Sequence, residues 1–272
     1  MLIVDSQVHI WINTKMREIH RQVPTYSAED LLAEMETAGV DRVLLHPPGT
    51  VPNGNEVAIA AANRYPDKFK VLGWLHLDRK EESAAKLAGW TNTPGMLGQR
   101  YIFIVPGREN WMTDGTMDHM WGVANEQKMP VGLLAHDFLP KVGKIAEKFP
   151  EVPLLIDHLG SNLFKPGVES FETLPELVAL AKHPNVAVKM SGANGNSATP
   201  YPHTDIHESL ERIFDAFGPD RCFWGTDLSR MPCSYKECVT LFTEELYWLK
   251  GRDLELVMGE ALCNWIGWDL PD

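Results

Sequence analysis

The sequence predicts a single (β/α)8 TIM barrel with an extra C-terminal helix, spanning residues 1–272 as one domain. Three observations carry this expectation. Short apolar runs recur along the chain and each stops abruptly at polar residues, the pattern of strands buried on both faces of a parallel sheet. Segments with helical spacing alternate with these runs. The 272 residues show no internal linker, and one α/β barrel commonly fills such a length. A doubly wound open sheet is the alternative topology, but no glycine-rich phosphate turn follows the first strand to favour it.

Residues 2–11 form the first expected strand. Side chains alternate along a strand, which puts Asp5, Gln7 and His9 on one face and Val4, Ser6 and Val8 on the other. Residues 13–25 are polar, irregular and long for a strand-to-helix connection, and read as a loop covering a site. Ser27 and Asp30 resemble a capping box, and Leu31, Leu32, Met35 and Ala38 keep helical spacing up to Gly39, a natural C-cap. The second strand, 41–46, ends at Pro47-Pro48-Gly49, and its helix, 55–65, stops at Pro66. Strand 69–77 carries Trp74 and His76 ahead of a helix over 80–90. The remaining pairs are strand 98–104 with helix 114–127, strand 130–136 with helix 140–149, strand 153–160 with helix 173–182, and strand 185–192 with helix 206–217. The eighth strand, 221–227, is followed by helices over 235–249 and 254–268.

Composition bounds the class of protein. Hydrophobic residues make up 44% and charged residues 23%, ordinary values for a globular chain that buries a large core. The net charge of −12 comes from acids spread through the helical stretches; such a surface repels nucleic acid and anionic membrane, and neither is expected as a partner. Cys222, Cys233, Cys238 and Cys263 lack CxxC spacing and suggest reduced thiols in a chain of this size. With no targeting pattern at the N-terminus and no run of 18 apolar residues, the expected location is the cytoplasm.

Barrel enzymes place their chemistry at the carboxyl ends of the strands. Those ends carry Gln7 and His9, His46, His76, Arg100, His136, His158, Ser191 and Asp227, a gathering not expected of ordinary structural histidines. At these residues the chain resembles a known family. Asp5-Ser6-Gln7-Val8-His9 on the first strand, Asp157-His158-Leu159-Gly160 on the sixth and Gly225-Thr226-Asp227 on the eighth look like the amidohydrolase superfamily, and its amidohydrolase-2 branch in particular. That branch includes dicarboxylate and sugar lactonases and metal-dependent decarboxylases. Each motif is weak alone; their order across the whole chain, with Met258-Gly259-Glu260-Ala261 on the closing helix, makes the resemblance specific.

One departure from the family pattern stands out. The family's first strand usually reads His-x-His, with both imidazoles able to hold a divalent metal, whereas this chain has Gln7 in the first place. An amide oxygen is a poor zinc ligand, so the expected site is metal-free, with no cofactor. Should a metal bind, His9, His136 and Asp227 are the candidate ligands, for zinc or manganese. The lactonase branch implies that Asp227 takes a proton from water and returns it to the leaving alkoxide. His9 and His158 would donate to the developing oxyanion, with the Gln7 amide as a further donor. The alternative is a metal-dependent decarboxylase or hydrolase acting on an aromatic or unsaturated acid. A non-catalytic barrel is disfavoured because a scaffold has no need of Asp227, His9 and His158 together.

Each residue also has a plainer reading. Asp227 could cap the following loop; His136 could be a ligand, a substrate donor or a core histidine beside Asp137; Asp157, facing away from His158, reads as structural. His46 and His76 are candidate substrate contacts. Arg100 and Arg230 suit a substrate carboxylate, since guanidinium forks bind carboxylates bidentately, although either could be a surface ion pair. Trp11 and Trp224 flank the two catalytic strands and could wall a planar ring. The 192–201 segment and the 106–113 loop, with Arg108 and Trp111, read as loops at the site mouth. The expected partner is a small molecule, an organic acid lactone, and a homo-oligomer is possible.

Overall fold

The computed structural model describes residues 1–49 and 51–271. Eight parallel strands follow one another in chain order: β1 (Val4–Val8), β2 (Arg42–Leu45), β3 (Phe69–Gly73), β4 (Met96–Ile102), β5 (Val131–Leu134), β6 (Leu154–Ile156), β7 (Val186–Lys189) and β8 (Cys222–Phe223). Backbone bonds from Ser6 N to the Trp224 oxygen (3.1 Å) and from Asp227 N to the Gln7 oxygen (2.7 Å) bring the last strand back against the first. The expected barrel is therefore present.

Local signals explain the helices. The helix Ala28–Ala38 begins at a capping box in which Ser27 and Asp30 satisfy each other's backbone, and it ends at Gly39 with a φ of 80°, a left-handed conformation that glycine adopts without a Cβ penalty. Ser234 and Glu237 build a second capping box on the helix Tyr235–Thr240.

The strands are shorter than the sequence suggested. Residues 224–227, 157–160 and 74–77, all expected as strand, lie outside β8, β6 and β3. The ladder stops where the chain turns outward to present polar side chains. His158, Leu159 and Gly160 take φ values of 51°, 61° and 55°, and Asp227 takes 57°. Strand pairing cannot continue through the left-handed region, and non-glycine residues are held there only when their surroundings over-determine them.

The barrel interior is built in layers. Val4, Leu44, Leu72, Leu155, Ala187 and Phe223 form an apolar layer, and Ala261, Leu262, Ile266 and Trp268 of the C-terminal segment pack on it. Residues two further along a strand point the same way, so the next layer toward the carboxyl ends holds His46, Arg100 two beyond Gly98, Asp157 and Lys189. All four are buried. Outside the barrel, alternate strand residues such as Val43, Val71, Val131, Ile156 and Val188 join the larger core under the helices.

Close backbone approach at Gly98 yields a stability prediction. A Cβ there would lie 2.1 Å from the Pro130 oxygen, with Leu72 at 3.0 Å, whereas at Gly122 nothing lies within 4 Å. Gly98→Ala is expected to lose about 1–3 kcal/mol through overpacking, while Gly122→Ala, inside the helix Asp118–Gln127, gains about 0.5–1 kcal/mol. Denaturant unfolding of both variants checks the pair.

Candidate active site

At the carboxyl ends of the strands lies a cavity of about 160 Å³. His9, Arg100, His158, Asp227 and Arg230 form its polar side, and Ile102, Ile104, Leu134 and Leu163 its apolar side. Residues Met16, Arg17, Ile19 and His20 of the 13–25 segment also line it, so that segment covers the site as expected. Four arginines, Arg17, Arg100, Arg108 and Arg230, face the cavity. That is a local excess of positive charge in a chain whose net charge is −12.

Asp227 is aimed by the turn that carries it. Its left-handed backbone and its amide bond to the Gln7 oxygen fix the side chain. Oδ2 accepts from an Arg230 terminal nitrogen at 3.1 Å and lies 3.7 Å from His158 Nε2. Oδ1 is buried and has no hydrogen-bond partner, although His9 Nε2 stands 3.3 Å away. Burial alone would raise this carboxyl, but His9, Arg230, His158 and His20 together hold it well below the usual carboxylate range.

Hydrogen bonds set the two imidazoles differently. His158 is buried, and burial pushes it down to about 3, so it is neutral. Ser191 Oγ accepts from the His158 backbone N–H at 3.3 Å and lies 3.0 Å from His158 Nδ1. A hydroxyl that accepts one bond and donates its proton to Nδ1 leaves the ring proton on Nε2, which faces Asp227 and the cavity. His9 is the reverse. Its Nδ1 lies 2.5 Å from the His46 carbonyl oxygen, a contact only an N–H can make, and burial lowers its basicity. The neutral ring therefore presents a lone pair at Nε2 toward Asp227. This corrects the expectation that His9 donates to an oxyanion. His20, which sequence reasoning passed over inside its loop, stands edge-on to His9 at 5.4 Å, is pushed down to about 4 by burial, and bonds Ser229 Oγ at 2.8 Å through Nδ1.

Below the cavity lies the charged layer. Asp157 receives Arg100 Nε at 2.6 Å on Oδ2 and Lys189 Nζ at 2.7 Å on Oδ1. Burial opposes its charge, but Lys189 and Arg100 hold the carboxyl far below its usual range. Burial likewise brings Lys189 down to about 8. Lys189 Nζ also lies 2.9 Å from Gln7 Oε1 and 3.1 Å from His46 Nε2. Lys189 was not among the residues expected at this end of the barrel. The signal was present, since a lysine two residues beyond Ala187 sits in an otherwise apolar strand that a parallel barrel buries.

Several expected site residues lie elsewhere. Gln7 is buried in this layer and does not line the cavity, so its NH2 faces His9 Nε2 at 3.5 Å rather than a substrate. His46 is buried beside Lys189 and Ser6. His136 is turned to Asp137, with Nε2 3.3 Å from the carboxylate, and is not a cavity residue. His76 is exposed and packs edge-on against Trp74 at 4.7 Å, outside the cavity. The aromatic wall expected from Trp11 and Trp224 is absent. Trp11 is buried against Tyr26 and donates to the Val23 oxygen at 2.9 Å, and Trp224 stacks on Tyr235 and donates to the Cys238 oxygen at 3.1 Å. Large buried indoles find packing and a polar partner, and here those partners pin the covering loop and the segment after β8. Asp5 does not share the Gln7 surroundings either. The β1–β2 register shifts between Asp5 and Val8, and the Asp5 carboxylate is spent on Thr226 N (2.9 Å), Thr226 Oγ1 (2.6 Å) and Tyr235 Oη (2.9 Å). Residues 193–196 form a short helix with Ala193, Asn194 and Asn196 buried, and are not cavity residues. Arg108 of the 106–113 loop does line the cavity and stacks on Trp111 at 4.9 Å.

Comparison with known proteins places this arrangement. The amidohydrolase family model matches residues 4–270. Among curated proteins, the L-fucono-1,5-lactonase of Burkholderia ambifaria is 25% identical over 231 residues, 80% of this chain and 73% of that protein. The 4-sulfomuconolactone hydrolase of Rhizobium radiobacter is 27% identical over 207 residues, 75% of this chain and 66% of that protein. Among solved structures, an amidohydrolase from Burkholderia multivorans with bound zinc superimposes with a TM-score of 0.84 at 20% identity, covering 100% of both chains.

That neighbour raises the fit of a metal. His9 Nε2 and Asp227 Oδ1 are adjacent, but His136 is turned away, and the oxygen of Gln7 is engaged by an ammonium group. Among the described residues, no group of three His, Cys, Asp or Glu side chains is arranged to hold a metal ion. The expected set of His9, His136 and Asp227 is not assembled. Nor, among the described residues, is any helix long and apolar enough to cross a membrane. With the family model covering nearly the whole chain and the strand-end residues in place, the chain belongs to the amidohydrolase family.

Proposed function

We propose that this protein opens a lactone that carries an anionic group, using Asp227 as the base for the attacking water. The observation that carries the reading is Asp227, a residue that lines the cavity, whose buried Oδ1 has no hydrogen-bond partner and whose carboxylate is held ionised by its neighbours. A general base needs that combination of charge and a free lone pair beside the substrate. The two curated relatives, both named as lactone hydrolases, support the class of reaction.

The steps follow from the hydrogen bonding. A water bonded to Asp227 Oδ1, the oxygen that lies 3.3 Å from His9 Nε2, gives a proton to Asp227 as its own oxygen adds to the lactone carbonyl carbon. The His158 Nε2–H donates to the oxygen that becomes negative, aided by the cationic Arg100, whose terminal nitrogens have no protein partner among the described residues. The bond from the carbonyl carbon to the ring oxygen then breaks, and Asp227 returns its proton to the leaving alkoxide. Donors aimed at a developing charge act most strongly in a dry site. Arg17 and Arg108, which have no carboxylate partner among the described residues, face the outer cavity; they would bind the substrate's anionic group by charge-assisted hydrogen bonds, while the Ile102 and Ile104 side covers its apolar part.

Asp227→Asn is expected to lower kcat by about 10²–10⁴-fold with little change in KM, measured on a panel of carboxylated lactones; unchanged kcat would remove the base. Arg108→Ala should instead raise KM for anionic lactones about tenfold to a hundredfold, the worth of one charged hydrogen bond, and leave neutral lactones nearly unaffected. The pH profile follows from the site as well. Asp227 is active as the carboxylate, which persists above its depressed pKa, and His158 is active as the neutral ring, which persists above about 3. Activity should thus stay level as pH falls through 6.5, where an ordinary histidine takes up its proton.

A further inference from the structure

Lys189 is wholly buried. Its ammonium meets Asp157 Oδ1 at 2.7 Å and Gln7 Oε1 at 2.9 Å, and it lies 3.1 Å from His46 Nε2, a nitrogen that is also 3.0 Å from the Ser6 oxygen. Gln7 and His46 both touch His9. The bond to Gln7 Oε1 fixes which end of that amide is oxygen, so the NH2 faces His9 Nε2; the backbone oxygen of His46 takes the His9 Nδ1 proton. The Nε2 side of His9 is therefore faced by an amide that the ammonium group orients.

We propose that Lys189 is a positioning residue that serves as the fixed cation of this site, orienting His9 through Gln7 and keeping a divalent ion from settling between His9 and Asp227. Like charges a few ångströms apart in a buried site repel strongly; Arg230 already sits on Asp227 at 3.1 Å, and Lys189 engages the Gln7 oxygen that would otherwise be free to ligate. Gln7 fits this arrangement: its amide accepts from the ammonium on one side and donates to His9 on the other. The effect on turnover rests on the lactonase reading, whereas the tautomer of His9 and the exclusion of metal do not.

The test separates the two. Zinc binding is measured by competition with a chelating dye for the wild type, Gln7→His, and the double variant Gln7→His/Lys189→Met. The double variant, which gains an imidazole and loses the ammonium, should bind zinc about a hundredfold more tightly than Gln7→His alone; equal affinity in the two, or wild-type affinity matching the double variant, overturns the proposal. In parallel, nitrogen NMR of the imidazoles should show His9 protonated on Nδ1 in the wild type and mixed between tautomers in Lys189→Met, and an unchanged His9 signal also overturns it. Kinetics on a hydrolysed lactone should show kcat falling in Lys189→Met with KM little changed, and partial recovery in Lys189→Arg. Should the methionine variants fail to fold by circular dichroism, Lys189→Gln carries the same measurements. If no variant, nor the wild type, opens any lactone, the zinc and tautomer readings still decide the role of Lys189.

Discussion

The structure depends on one buried carboxylate. Asp157 sits in the barrel interior between Arg100 and Lys189, where neither the acid nor either base could stay charged alone. Buried ion pairs stabilise only when every lone pair and proton is placed, and here the surplus donors of the two cations reach outward. Arg100 turns its remaining nitrogens toward the cavity, and Lys189 turns to Gln7 and His46. The ion cluster thus couples the packed barrel below to the polar site above. Removing Asp157 would leave two buried cations side by side, whereas removing either cation leaves one pair intact.

A second strut runs through Asp5. Its carboxylate joins the first strand to Thr226 and Tyr235, on either side of the turn that carries Asp227. Burial raises this acid to about 6 despite the hydrogen bonds it accepts. Gly225 makes the arrangement possible, since a Cβ there would lie 2.3 Å from Ser6 Oγ. The left-handed backbone of Asp227 is held by these contacts, as strained conformations at functional sites must be.

Much of this was legible in the sequence. Strand count, strand order and the gathering of His9, His158, Asp227, Arg100 and Arg230 at one end follow from apolar runs that stop at polar residues. Capping at Ser27 and the covering role of the 13–25 loop were equally visible. What escaped depends on register and on partners far apart in sequence. Alternation along β1 predicted a shared face for Asp5 and Gln7, but the ladder shifts register between Asp5 and Val8. Trp11 and Trp224 are near the site in sequence, yet their indoles point into packing, because direction is set by neighbours that residue type does not reveal. The tautomer of His9 hangs on a carbonyl 37 positions away, and the importance of Lys189 on an amide 182 positions away. No local pattern encodes such a pair.

The central claim is that Asp227 acts as a base on water and is not itself the group that attacks the carbonyl. Single-turnover hydrolysis in water enriched with heavy oxygen, followed by mass analysis of both the product and the peptide containing Asp227, tests it most directly. Base catalysis predicts heavy oxygen in the new product carboxylate and none in Asp227. Heavy oxygen in Asp227 with an unlabelled product would show a covalent acyl-aspartate, and release of carbon dioxide in place of ring opening would contradict hydrolysis altogether.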